Sequence, residues 1–153
     1  MDELQKLSEL GMELPNVPKP IASYELYSIT GNLIYIAGQG PTINGRNVYV
    51  GKVGRDVTKE EAYESAKLCG LNILAILKEA LGSLDRVSKI VHINGYVNSI
   101  DEFYDQPYAI NGVSDLMFSI FGERGKHSRA AISVNSLPMK IPVEVEIVAE
   151  IKI

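Results

Sequence analysis

Toward the C-terminus, apolar and polar positions alternate twice: Ala130, Ile132 and Val134 with Arg129, Ala131 and Ser133, then Val143, Val145 and Ile147 with Glu144 and Glu146. A period of two marks strands. Pro138 and Pro142 fall in the connection between them, where a missing N–H is tolerated. Similar runs predict strands at Tyr24 to Thr30 and Leu33 to Ala37, joined through Gly31-Asn32, at Asn47 to Val53 after the Asn44-Gly45 turn, and at Val87 to Val97.

Helical spacing occupies the remainder. Leu4, Leu7 and Leu10 share a face of a short N-terminal helix that Gly11 stops. Pro15, Pro18 and Pro20 then make a stiff connector. Thr58-Lys-Glu-Glu61 is a capping box, and from it Ala62, Ala66, Cys69, Ile73, Leu77 and Ala80 recur until Gly82. Ser99-Ile-Asp-Glu102 is a second such box, opening a helix that Gln106-Pro107 cuts short. Asn111 is placed to cap the next helix, with Val113, Leu116, Met117, Ile120 and Phe121 inward and Gly122 at its end.

Each helix is apolar on one side only. The expected fold is therefore α+β: a two-layer sandwich of a mixed sheet of about six strands with two main helices on one face, plus the short N-terminal helix. One domain is expected over residues 1–153, with 1–20 as helix and connector. The other sheet face is expected to carry Arg129, Ala131, Glu144, Glu146 and Val148, a mixture too apolar for a fully wet surface.

Composition narrows the function. Hydrophobic residues at 46% and charged ones at 22% are ordinary for a globular protein and argue against disorder. No run approaches the roughly 18 apolar residues of a membrane span, and Met1-Asp-Glu-Leu-Gln lacks a signal peptide's basic start, so a cytoplasmic location without membrane partners is expected. A net charge of −4 without a Lys/Arg cluster makes nucleic acid an unexpected partner. Cys69 sits at core spacing and is read as packing. His92 and His127 have no Cys or HExxH-type company, so no metal site is expected. Gly38-Gln-Gly40-Pro41 brings backbone close to whatever lies beside it, but lacks either phosphate-loop pattern.

Arg129 and Glu144 remain. Each charge opens a strand and points away from that strand's apolar set. Residue pattern leaves two readings open: a solvated cross-strand pair worth at most about 1 kcal/mol, or a site in which the guanidinium fork grips a planar anion while the carboxylate handles water or protons.

Tyr24, Ala-Gly-Gln-Gly-Pro at 37–41, Ser-Arg-Ala at 128–130, Leu-Pro at 137–138 and Val-Glu-Val-Glu at 143–146 together resemble the reactive intermediate deaminase family, known as RidA or YjgF. The resemblance runs from about residue 20 to the C-terminus, in order. It implies a chorismate mutase-like, YjgF-like sandwich, homotrimers with the open sheet faces inward, and sites in the clefts between subunits. It also implies hydrolysis of reactive 2-imino acids or their enamines, of the 2-iminobutanoate and 2-iminopropanoate type, to 2-oxo acids and ammonia, with no cofactor. By the same resemblance Arg129 holds the substrate carboxylate, Glu144 orients water, Tyr24 is the aromatic site residue, and Asn111, Gly38 and Ala131 contribute to substrate binding.

Ala37 stands where the family usually has serine, and Ala131 where cysteine or serine is common. Between the fourth strand and Asn111 the chain is a few residues longer and resembles a longer branch of the family. These departures keep two further readings in view: a trimer that binds small carboxylates or regulates without turnover, and the endoribonuclease role attributed to some relatives.

Overall fold

The Thr58 hydroxyl accepts the Glu61 N–H at 3.1 Å, and the Glu61 carboxylate accepts the Thr58 N–H at the same distance. Both donors are thereby satisfied at the start of the longest helix, α2 (Lys59–Leu81). In this computed structural model, residues 2–20 and 22–153 are described. The other elements are α1 (Glu3–Glu9), β1 (Tyr27–Thr30), β2 (Leu33–Gln39), β3 (Thr42–Ile43), β4 (Arg46–Asn47), β5 (Val87–Asn98), α3 (Gln106–Phe121), β6 (Ser128–Val134) and β7 (Val143–Ile151).

Five strands form one mixed sheet in the order β1-β2-β7-β5-β6, in which only β5 and β6 run parallel. The strands β3 and β4 form a separate two-stranded ribbon. Helices α2 and α3 pack on each other and on one sheet face. Between them lie Ala62, Ala66, Cys69, Ile73 and Leu77 of α2, Ile34 and Ile36 of β2, Ile90, Ile93 and Val97 of β5, and Val143, Val145 and Ile147 of β7, all buried. Each large side chain among these contributes about 1.5–3 kcal/mol by leaving water. No helix among the described residues is long and apolar enough to cross a membrane. The α+β architecture with two main helices on one face and a short N-terminal helix is the one the residue pattern predicts.

Details differ. Of Leu4, Leu7 and Leu10 only Leu7 is buried. Glu3 is buried instead, in an ion pair with Arg124. The expected strand Asn47 to Val53 does not form: only Asn47 belongs to a strand, and Val48 and Val50 are exposed. Its backbone donors go to different segments, Gly51 N–H to the Lys140 carbonyl and Val53 N–H to the Asn98 carbonyl, so no ladder develops. The sheet therefore has five strands rather than about six.

The helix expected from Ser99 is also absent. The Ser99 hydroxyl donates to the Ile100 carbonyl and pairs with the Ser133 hydroxyl at 2.7 Å, so it is turned toward β6 and not toward a helix N-terminus. Pro107 opens α3 rather than ending a helix, at a position where its missing N–H costs nothing. Asn111 consequently lies inside α3 and is not a cap; Asp105 precedes the first turn.

The largest correction concerns β6. Arg129 pairs in register with Ile93, and Ile93 pairs with Ile147, both buried beneath the helices. Register partners share a face, so Arg129 and Ala131 project to the helix side, and they do not share the open face with Glu144, Glu146 and Val148. At this sheet edge it is the apolar set Ala130, Ile132 and Val134 that faces away from the helices.

Candidate functional site

Tyr24, Gly38 and Glu144 line one cavity of about 500 Å³, with Leu26, Ala37, Pro138, Met139 and Ile141 among its walls. Its shape begins with a break in the β2–β7 register between Ile36 and Gln39. Gln39 is buried and its amide donates to the Ala37 carbonyl at 3.1 Å, which pins the bulge. The bulge turns Gly38 toward Glu144: a Cβ there would lie 2.8 Å from Glu144 Oε2, so only glycine leaves the carboxylate its place. Tyr24 sits before β1, its N–H bonded to the Ala22 carbonyl at 2.9 Å, and the residue is 44% exposed.

Glu144 is half-buried, and burial raises its carboxyl above the usual carboxylate range, with the nearby charge of Glu146 adding to the effect. Glu146 itself is engaged. Its Oε1 accepts from the Tyr96 hydroxyl at 2.6 Å and from the Asn94 amide at 3.1 Å. Asn94 Oδ1 in turn meets His92 Nε2 at 3.0 Å, and His92 Nδ1 meets the Ser128 hydroxyl at 2.7 Å. This chain across the open face was invisible to residue pattern, because its members come from three strands. Beneath the sheet, Cys69 is buried and its thiol is pushed well up by burial, as a packing residue requires.

Arg129 lies elsewhere. Its Nη1 donates to the Ser114 hydroxyl at 3.1 Å and its Nη2 to the Pro107 carbonyl at 3.2 Å. Pro107, Asn111 and Ser114 sit at i, i+4 and i+7 on α3, so Asn111 occupies the turn between the two groups that hold the guanidinium. Ala131 follows on the same face and packs against the core. The site residues thus fall into two groups: Tyr24, Gly38 and Glu144 in the cavity, and Arg129, Asn111 and Ala131 at the β6–α3 edge. Strand β5 separates Glu144 on β7 from Arg129 on β6, about 10 Å of lateral spacing, and the two side chains leave opposite faces. One chain does not bring them together.

Ser114, which holds Arg129, and its bond to His127 escaped residue reasoning, which weighed His127 only as a metal ligand. The available signal was Ser114 at four residues after Ile110 and three before Met117, on the face of α3 that packs inward.

Comparison with known proteins decides the family. Residues 4–151 match the family described as "YjgF/chorismate mutase-like, putative endoribonuclease". The chain belongs to this YjgF/RidA family. Protein TCP17 of Trypanosoma cruzi is 37% identical over 146 residues, 95% of this chain and 91% of that one. The crystal structure of Atu1372 from Agrobacterium tumefaciens, a protein of unknown function, is 40% identical with a TM-score of 0.92, covering 99% of this chain and 92% of that one. A Shewanella oneidensis protein named "putative endoribonuclease" is 36% identical with a TM-score of 0.96, covering 99% and 100%. As a YjgF/RidA chain, this one carries Ala37 as a plain methyl on the cavity wall and buries part of Ala131 in packing.

Proposed function

We propose that this YjgF/RidA protein hydrolyses 2-imino acids to 2-oxo acids and ammonia, as a homotrimer in which Arg129 of one subunit faces the Tyr24–Gly38–Glu144 cavity of the next. The observation that carries the reading is Glu144: a carboxylate with a raised pKa, free of hydrogen bonds to other described residues, in a cavity with largely apolar walls. Such a group exchanges protons with water nearer neutrality than an exposed carboxylate does. The guanidinium fork supplies the complementary half, a bidentate grip on the substrate carboxylate.

The chemistry is short. Glu144 takes a proton from water as the water oxygen adds to the protonated imine carbon, giving a carbinolamine; that proton passes to the amine, the C–N bond breaks as the C=O bond forms, Glu144 takes the hydroxyl proton, and ammonia leaves with a 2-oxo acid. The imine is already electrophilic, so positioning and proton transfer suffice. Addition of the protein to a pyridoxal-dependent dehydratase turning over threonine should accelerate 2-oxobutanoate release. No acceleration over the dehydratase alone would refute the deaminase reading. Light scattering should give a trimer, since the two groups of site residues meet only across an interface.

A second reading, a carboxylate-binding trimer without turnover, is favoured by Ala37 and Ala131, which remove a hydroxyl and a thiol or hydroxyl common in the family. Binding of 2-oxobutanoate without acceleration would select it. The word endoribonuclease in the family description and in the Shewanella name belongs to those descriptions; a net charge of −4 and a carboxylate in the cavity argue against an RNA substrate here.

A further inference from the structure

Arg129 is not simply near Ser114; it ends a directed chain of hydrogen bonds. His127 Nδ1 lies 2.7 Å from the Gly125 carbonyl, His127 Nε2 lies 2.9 Å from Ser114 Oγ, and Arg129 Nη1 donates to that same oxygen at 3.1 Å. A carbonyl only accepts, so Nδ1 must carry a proton. In the neutral ring Nε2 is then an acceptor, the single hydroxyl proton of Ser114 goes to it, and the serine oxygen is free to accept from Arg129. One arrangement satisfies every atom.

The ends of this chain are fixed. A Cβ on Gly125 would stand 2.2 Å from the Met117 carbonyl oxygen, so the turn that carries the terminal acceptor is pressed against α3, the helix that carries Ser114. The Pro107 carbonyl holds the second arm of the fork from the start of α3. Two of the five guanidinium N–H groups are used in this way, leaving three for a ligand.

From this geometry we infer that Ser114 and His127 are positioning residues that aim the Arg129 fork, and that anion capture by Arg129 requires His127 to be neutral. The inference rests on the reading of Arg129 as the carboxylate grip. Protonation of His127 turns Nε2 into a donor. The serine oxygen then faces two donors, its own proton loses its acceptor, and an imidazolium stands beside a guanidinium. Burial opposes the charged form of His127 most, the Gly125 carbonyl favours it, and Arg129 at the start of β6 and His92 on β5 oppose it, so that its pKa lies below the ordinary histidine value. The nearby acids are occupied, Glu123 with Lys126 at 2.9 Å and Asp115 with the Tyr63 hydroxyl at 2.6 Å.

The test is the affinity of the assembled protein for 2-oxobutanoate, by calorimetry, from pH 7.5 down to pH 5. Wild type should bind at neutral pH and lose affinity progressively as pH falls and His127 charges, below the pH at which an ordinary histidine does. His127→Gln keeps a donor and an acceptor without titrating, so its affinity should hold flat across the range. Ser114→Ala should weaken binding severalfold at pH 7.5 and raise KM with kcat nearly unchanged, while Ser114→Thr should restore both. Thermal unfolding and light scattering check that each variant is folded and assembled. Absence of binding in wild type overturns this inference together with the deaminase reading. Binding that Arg129→Lys abolishes, but that Ser114→Ala and His127→Gln leave with the wild-type pH profile, overturns the inference alone.

Discussion

Tyr96 faces Glu144 in register across β5 and β7, yet its hydroxyl passes Glu144 by and donates to Glu146 at 2.6 Å. Two carboxylates of the same strand parity are thereby made unequal. Glu146 is tied down by Tyr96 and Asn94, and Glu144 is left facing the cavity. Glu146→Gln retains an oxygen for both donors but removes the charge that helps to raise Glu144. The acid limb of the pH–rate profile should therefore move to lower pH, with the plateau rate within about twofold of wild type. Glu144→Gln should lose the order of 10² in rate that removal of a general base costs. Paired deaminase assays across pH check both; equal losses would remove Glu144 from its role.

Glu144 should also cost stability. Its folded-state pKa is raised, so its contribution is fully present below the unfolded carboxylate value and is lost as pH rises through the raised one. At neutral pH the ionised group sits where protonation is preferred. Glu144→Gln should therefore unfold at a higher temperature than wild type near pH 7, and the difference should vanish near about pH 4. A pH-independent difference in thermal unfolding would count against the cavity's effect on this carboxyl.

Gly38→Ala separates site from scaffold. The added Cβ would meet only the end of the Glu144 side chain, which can rotate aside, so the fold should lose about 1 kcal/mol or less. Displacing the carboxylate by even an ångström should cut turnover by up to about 10²-fold. Denaturant unfolding beside steady-state rates would show the split.

Arg129→Lys keeps the charge but cannot hold Ser114 Oγ and the Pro107 carbonyl while presenting a planar pair to a ligand. Folding and assembly should survive, and kcat/KM should fall by at least about tenfold. Unchanged kinetics would place the carboxylate elsewhere.

What the sequence disclosed followed the strength of its periods. Helix α2 repeats Ala62, Ala66, Cys69, Ile73 and Leu77 over several turns, and β7 alternates without a break, so both were legible to within a residue or two. The facing of β6 was not, because an apolar alternation says which residues share a side and not which side meets the core. Here Ala130, Ile132 and Val134 face the open side, which the proposed trimer would cover. Asn111 was proposed for the site only through family resemblance, and its place one turn from Ser114 emerged once α3 was seen to begin at Gln106. The bond from Arg129 to Ser114, and from Ser114 to His127, was hidden because helix, turn and strand must fold together to form it.

Arg129 and Glu144 leave opposite faces of one sheet, and this has a consequence for populations of chains rather than for single ones. In the head-to-tail trimer proposed above, each cleft would draw Arg129 from one chain and Glu144 from its neighbour. A chain lacking Arg129 and a chain lacking Glu144 are each inert alone, but after unfolding and reassembly as an equal mixture about a quarter of the clefts receive both intact residues. Two inactive preparations would then yield an active one, and co-expressed alleles defective at the two positions would complement each other within the same cell.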